Sequence, residues 1–325
     1  MVDLISIGDP TIDTFLKIDD AHVACNIRHE DCQLCFDYAN KIPVEGFFKF
    51  PAGNMPNNAI GAARLGLSVL AYGEVGDDKE GEWIKEELGK EGVETKFIHT
   101  DKSKATNAST VLVFQHERTI FVWHQTRRYH LPALPTADWL YLTSLGPLSP
   151  HLETLHRELA GYLKTHSTKL AFNPGTYQLL LGREKLAPLL ARSKVLIINK
   201  EEAHELTGKS SWDIKVLLQA MRDLGPEIAV ITDGPNGSFV HDGLRYLACG
   251  IYDMPVVERT GAGDSYATAF ISALHYGLDI PEAMRWGTFN SAYVVGQFGG
   301  ILGLVGKKSM LRLSTDHPEL KVKSI

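Results

Sequence analysis

Short apolar runs alternate with longer amphipathic stretches along most of the chain. Residues 69–72 precede a helical pattern over 81–90, residues 139–143 precede one over 150–164, 170–172 precede 185–191, and the wholly apolar 195–198 precede 201–206. This alternation predicts a parallel sheet covered by helices on both faces, an α/β architecture. A first strand over residues 4–7 ends at Gly8-Asp9-Pro10, because proline cannot continue the ladder. A helix from Asn57 to Leu65 is stopped by Gly66, in the position where a left-handed glycine closes a helix. Two pairs of β-rich runs read as hairpins: 110–114 with 120–124, and 238–240 with 244–247 around His241-Asp242-Gly243. Residues 15–50 carry no helical period and read as irregular strands and loops. The first hairpin and this segment are extra to a doubly wound core, so the expectation is one domain over 1–325 with a small β lid formed by about 14–51 and 105–129.

Composition narrows the class. With 325 residues, 44% of them hydrophobic, the chain can bury a core without disulfides or a structural metal. The net charge of −6 and the lack of a strong basic run give no phosphate-tracking surface, so no nucleic-acid partner is expected. No apolar run is long enough to span a membrane, and Asp3 stands where a signal peptide carries cationic charge, which reads as a cytoplasmic protein. Cys25, Cys32 and Cys35, interleaved with His22 and His29, have ligand types and a C-x-x-C spacing that suit a structural zinc. The same residues also read as reduced thiols partly buried as small hydrophobes.

The strongest chemical signal is Glu258-Arg259-Thr260-Gly261-Ala262-Gly263-Asp264-Ser265-Tyr266, followed by an apolar-periodic segment over 267–276. Three tiny residues before a helix leave successive N–H groups unshielded at the positive end of the helix dipole, which makes an anion hole. Asp264 beside it can take a proton from a substrate hydroxyl while the hole holds a transferring phosphoryl group. Taken alone, Asp264 is equally a first-turn helix residue after a tight turn. There is no G-x-x-x-x-G-K-[ST] loop and no protein-kinase glycine loop, so the phosphate chemistry suggested is of the anion-hole type.

Other segments extend the pattern in order: Gly8 and Asp13 after the first strand; Ala52-Gly53-Asn54-Met55-Pro56-Asn57-Asn58-Ala59; Gly73-Glu74-Val75-Gly76-Asp77-Asp78 with Gly81; Asn199-Lys200-Glu201-Glu202; and Thr232-Asp233-Gly234 with Gly237. Together with Thr260-Gly261-Ala262-Gly263-Asp264 they make the chain resemble the ribokinase-like (PfkB) family of carbohydrate and nucleoside kinases. The resemblance implies a ribokinase-like fold and ATP-dependent phosphorylation of a hydroxymethyl group on a small sugar. Asp264 would be the base and the Gly261, Ala262 and Gly263 amides the anion hole. It implies substrate binding by Asp13, Gly53 and Asn57, and nucleotide binding by Thr232, Gly234, Gly237 and Asn290. Asn199 and Glu202 would serve hydrated Mg²⁺, although the same pair also reads as a helix capping box.

Glu258 stands where many members carry an aspartate that helps hold a monovalent cation, and Arg259 and Thr268 depart from the usual small residues. K⁺ activation is therefore left open. A lid of this family implies a homodimer. Arg127-Arg128 could meet a substrate phosphate or form a solvated turn. Two other readings stand beside the sugar kinase: a nucleoside kinase, with Phe15, Phe36, Phe121 and Trp123 stacking a base, and a catalytically silent sugar-binding regulator.

Overall fold

The computed structural model describes residues 2–26, 32–115, 117–146 and 150–325. The chain runs through β1 (Val2–Ile7), β2 (Thr11–Lys17), β3 (His22–Cys25), β4 (Cys32–Cys35), β5 (Gly46–Ala52) and α1 (Asn54–Arg64). Next come β6 (Val69–Gly76), α2 (Lys79–Lys90), β7 (Glu94–Asp101), β8 (Asn107–Phe114), β9 (Glu117–Trp123), β10 (Ala137–Leu142) and α3 (Pro150–Thr165). The middle of the chain gives β11 (Lys169–Phe172), α4 (Thr176–Leu179), α5 (Arg183–Leu190), β12 (Ser193–Asn199), α6 (Lys200–Thr207) and α7 (Ile214–Asp223). It ends with β13 (Ile228–Thr232), β14 (Ser238–His241), β15 (Tyr246–Cys249), α8 (Ala262–His275), α9 (Ile280–Val295), α10 (Lys307–Asp316) and β16 (Val322–Ser324).

Ten strands form the main sheet, in the order β16-β15-β14-β13-β12-β11-β10-β1-β6-β7. From β13 to β7 neighbours are parallel, and β14, β15 and β16 extend the edge antiparallel. The apolar runs are buried on both faces because helices cover both. In β1, Leu4 packs with α1, α8 and α9, whereas Ile5 and Ile7 pack with α3, α5 and α7. This is the period-two alternation of a strand between two helical layers.

The segment 15–50 is more ordered than its pattern suggested. A second sheet, β5-β2-β8-β9, stands apart from the first and begins at Thr11, before the expected boundary at 14. Its inner face carries a small core of Phe15, Val111 and Val113, with Phe50 and Phe298 packed against it. The strands β3 and β4 pair only with each other, and Cys25 and Cys32 face one another across that ribbon, joined by a disulfide. That corrects the expectation of zinc or of reduced thiols, since two of the three sulfurs are spent on each other; Cys35 is free. His29 lies outside the described residues.

Helix α1 starts earlier than expected, with Gly53 in the capping position, so Asn57 lies inside the helix rather than at its cap. A buried polar chain fixes α1 and α8 to β1. Ser6 Oγ donates to Asn58 Oδ1 (2.7 Å), Asn58 Nδ2 donates to Thr268 Oγ1 (3.0 Å), and Thr268 Oγ1 donates to the Asp264 carbonyl (2.7 Å). Gly61 lets the helices approach, since a Cβ there would sit 2.9 Å from the Thr268 methyl. Thr268, unusual by comparison with the family pattern, is thus a cross-link between helices. Among the described residues no helix is long and apolar enough to cross a membrane.

Thr268→Val keeps the shape but leaves the buried Asn58 amide without its acceptor. We expect a loss of about 1–3 kcal/mol in urea unfolding; an unchanged midpoint would contradict the cross-link.

Candidate active site

The carboxyl ends of β1 and β10 to β13 open on a cleft of about 760 Å³, with β2, β8 and β9 of the second sheet forming its other wall. Open α/β sheets bind ligands at this end, where loops diverge and helices begin. Two helix starts, those of α1 and α8, meet there.

Gly261 precedes α8 in a left-handed conformation (φ 77°), and a Cβ on it would lie 2.5 Å from the Gly300 Cα, so only glycine fits. A Cβ on Gly263 would meet nothing within 4 Å, which leaves that turn of backbone open. The first-turn amides have no acceptor in the preceding turn of helix, apart from Ala262 N, which approaches the Arg259 carbonyl at 3.4 Å. Asp264, the third residue of α8, lines the cleft and is 8% exposed. Asn54 Nδ2 donates to its Oδ1 (3.0 Å) and Asn57 Nδ2 to its Oδ2 (2.9 Å). Burial pushes its pKa up to about 6, against the pull of those two amides and of Arg118.

Asp13 projects from β2 in register with Ser109 of β8, which in turn faces Val122 of β9. Burial pushes Asp13 up to about 7, partly offset by a hydrogen bond with Ser109 and reinforced by the carboxylates of Glu258 and Asp264. Thr11 Oγ1, Asp13 Oδ1 and Asn57 Oδ1 are buried in this wall without a hydrogen-bond partner. Such unsatisfied oxygens are rare in folded proteins and suit a ligand that brings hydroxyl groups. Gly53 lines the same region at φ 106°, and a Cβ there would lie 2.5 Å from the Asp9 carbonyl.

At the other end of the cleft, Asn199 and Glu202 make the capping box of α6. Asn199 Oδ1 accepts from Glu202 N (2.8 Å), and Glu202 Oε2 accepts from Asn199 N (3.0 Å). Both residues line the cleft, and burial raises Glu202 above the ordinary carboxylate range. Their oxygens are the hard donors that magnesium takes through water. Thr232, Gly234 and Gly237 also line this end.

Several expected residues are placed elsewhere. Asn290 does not line the cleft: its Nδ2 donates to the Ser265 carbonyl (2.7 Å) and its Oδ1 accepts from Val305 N (2.9 Å), so it ties α9 to α8. Thr288, Ser291, Ala292 and Val295 are the cleft-facing residues of α9. Glu258 is fully buried, and its two oxygens accept from the Thr260 and Gly299 amides, clamping the loop before α8. Arg127 is buried behind the wall, where it donates to the Ala105 carbonyl, and Arg128 is not a lining residue either. None of Phe15, Phe36, Phe121 and Trp123 lines the cleft, so no base-stacking set forms among them.

Sequence reasoning missed Asn54, Ser109, Arg118 and Asp9, all of which line the cleft. Strand alternation over 118, 120 and 122 could have found Arg118. Asn54 lay inside a quoted motif without being given a role.

The sequence model of the family described as pfkB family carbohydrate kinase matches residues 14–305. The chain is 28% identical over 270 residues to a 5-dehydro-2-deoxygluconokinase of Shouchella clausii, covering 78% of this chain and 82% of that protein. It is 31% identical over 294 residues to a 5-dehydro-2-deoxygluconokinase of Bacillus thuringiensis, covering 81% and 87%. Among solved structures, Arabidopsis thaliana ribokinase complexed with ribose and ATP superposes with a TM-score of 0.76 at 20% identity, covering 96% of this chain and 98% of that one. The fold is thus ribokinase-like.

A carboxyl group whose folded-state pKa is raised from 3.8 to about 7 binds its proton more tightly in the folded protein. It therefore favours folding at low pH, and that contribution is lost as pH rises through about 7. Asp13→Asn should melt above the wild type at pH 8, with the gap closing by about pH 4. A variant that melts lower at pH 8 would contradict the burial described.

Proposed function

The chain belongs to the pfkB family of carbohydrate kinases, and from that premise we propose that it transfers the γ-phosphoryl group of ATP to a hydroxymethyl group of a small sugar, with Asp264 as the base. The observation that carries this reading is the Asp264 carboxylate, buried at the start of α8 and held by Asn54 and Asn57 beside the bare first turn. Raised to about 6, it is ionised at neutral pH yet more basic than an ordinary aspartate, which suits a general base. The family match and the likeness to sugar kinases support the substrate class.

In this reading the sugar lies against Asp13, Asn57 and Gly53, with its ring hydroxyls filling the unpartnered oxygens of that wall. Asp264 accepts the hydroxyl proton, and the sugar oxygen forms the new bond to the γ-phosphorus as the bond to ADP breaks. The amides of Gly261, Ala262 and Gly263 stabilise the equatorial oxygens during transfer. Thr232, Gly234 and Gly237 line the nucleotide's path. Asn199 and Glu202 would hold Mg²⁺ through its water shell; when bound it neutralises phosphate charge. The second sheet acts as a lid that excludes water. Its outer surface exposes Phe47, Phe121 and Trp123, apolar area that supports pairing of two copies through the lid.

Asp264→Asn should lower kcat by roughly 10²–10⁴ while the KM values for sugar and ATP change only a few-fold. A variant with wild-type kcat would overturn the assignment.

A further inference from the structure

How the γ-phosphoryl group is met from the lid side of the cleft is a question that rests on the phosphotransfer reading. The lining of the cleft is acidic. Asp9, Asp13, Glu117, Glu202, Asp253 and Asp264 line it against two cations, Arg118 and Arg259, and no lysine is among its described lining residues. A nucleoside triphosphate brings further negative charge into this space, and the amides of Gly261, Ala262 and Gly263 are neutral donors. Of the side chains that line the cleft, only these two arginines bring a fixed positive charge to the phosphates.

The two are not equivalent. Arg259 stands two residues before Gly261, and its guanidinium is spent on Glu117 at 3.2 Å. Glu117 opens β9, so this ion pair runs from the second sheet to the loop that leads into α8. Both partners are exposed, which makes the pair weak by itself; its contribution is to place the next residue of the strand. That residue is Arg118. It is exposed, it lines the cleft, and its guanidinium makes neither a hydrogen bond nor an ion pair among the described residues. Its charge still reaches Asp264, whose pKa it draws down against burial. A planar fork of donors with no protein acceptor, beside the proposed base, is suited to an oxyanion that arrives with the substrates.

Position along β9 separates the sugar from the phosphate. The sugar wall is level with Val122, which faces Ser109, the partner of Asp13. Arg118 faces Val113, four residues and about 13 Å of extended strand away, on the side where Glu117 meets Arg259. We propose that Arg118 is a catalytic residue, its guanidinium donating paired hydrogen bonds to equatorial oxygens of the γ-phosphoryl group as that group crosses from ADP to the sugar. The bond from phosphorus to the bridging oxygen of ADP breaks with its electron pair left on ADP, the sugar oxygen forms the new bond, and the hydroxyl proton goes to Asp264. Arg118 is unchanged by the step. The group in transfer is then held from the α8 side by backbone amides and from the lid side by a fixed positive charge, so the chemistry is complete only with β9 in place.

The test begins with ADP release from ATP with ketohexoses, aldopentoses, aldonic acids and sugar phosphates, and the sugar turned over best is carried into the variants. Turnover of none of them would overturn the phosphotransfer reading itself; the variants test Arg118 alone. Arg118→Gln should lower kcat by about 10²–10³, the size of losing one donor to a developing anion, with the KM values for ATP and sugar changed only a few-fold. Calorimetry with Mg²⁺, ADP and aluminium fluoride, which imitates the phosphoryl group in flight, gives a second readout. The variant should bind that complex at least about tenfold more weakly than the wild type and bind ADP alone equally well. Should Arg118→Gln fail to fold, Arg118→Lys, which keeps the charge and loses the fork, should show the same pattern with a loss of about tenfold. Wild-type kcat in the variant would overturn the proposal, as would unchanged affinity for the aluminium fluoride complex. So would a loss confined to the KM of carboxylate- or phosphate-bearing sugars, which would put the arginine on the acceptor instead.

Discussion

A carboxylate buried where two helices begin organises this protein. Asp264 accepts one amide hydrogen bond on each oxygen, both from the first turn of α1, so its position depends on how α1 and α8 meet. That meeting is fixed from below by the chain from Ser6 through Asn58 to Thr268 and from the side by Gly261 against Gly300. Burial disfavours the charged form, whereas the two amide donors and the positive end of α8 favour it. The balance leaves a group that is ionised near neutrality and still a willing proton acceptor.

The second sheet turns that group into one end of a site with polarity. Its inner face places Asp13, Ser109 and Val122 in one row, so a polar floor and an apolar cover share a register. Arg118, Arg259 and Asp9 also line this cleft.

The parallel sheet, its two helical layers and the loop before α8 were legible because apolar runs and glycine spacing report local physics directly. So was the capping box of Asn199 and Glu202, a contact three residues apart. Long-range partnerships were not. Asn54 gains its role only from Asp264, 210 residues away, and Asp9 looked like part of a strand-ending turn. Asn290 and Arg127 are polar residues that a motif or a charge pair brings to mind, yet Asn290 donates to the Ser265 carbonyl and Arg127 to the Ala105 carbonyl and Asn107 Oδ1, inside the fold. Residues 15–50 read only as irregular strands and loops, because one face of that sheet is exposed and its alternation is diluted by polar residues. A cross-strand pairing such as Cys25 with Cys32 depends on a register that spacing alone does not give.

The most direct measurement is a carboxyl carbon-13 NMR titration of the aspartates, with the Asp264 resonance assigned by its loss in a substituted protein. The account predicts a midpoint for Asp264 near 6 in the free protein, well above the ordinary value of 3.8. A midpoint at or below 3.8 would mean a solvated carboxylate turned away from Asn54 and Asn57, and would contradict the account.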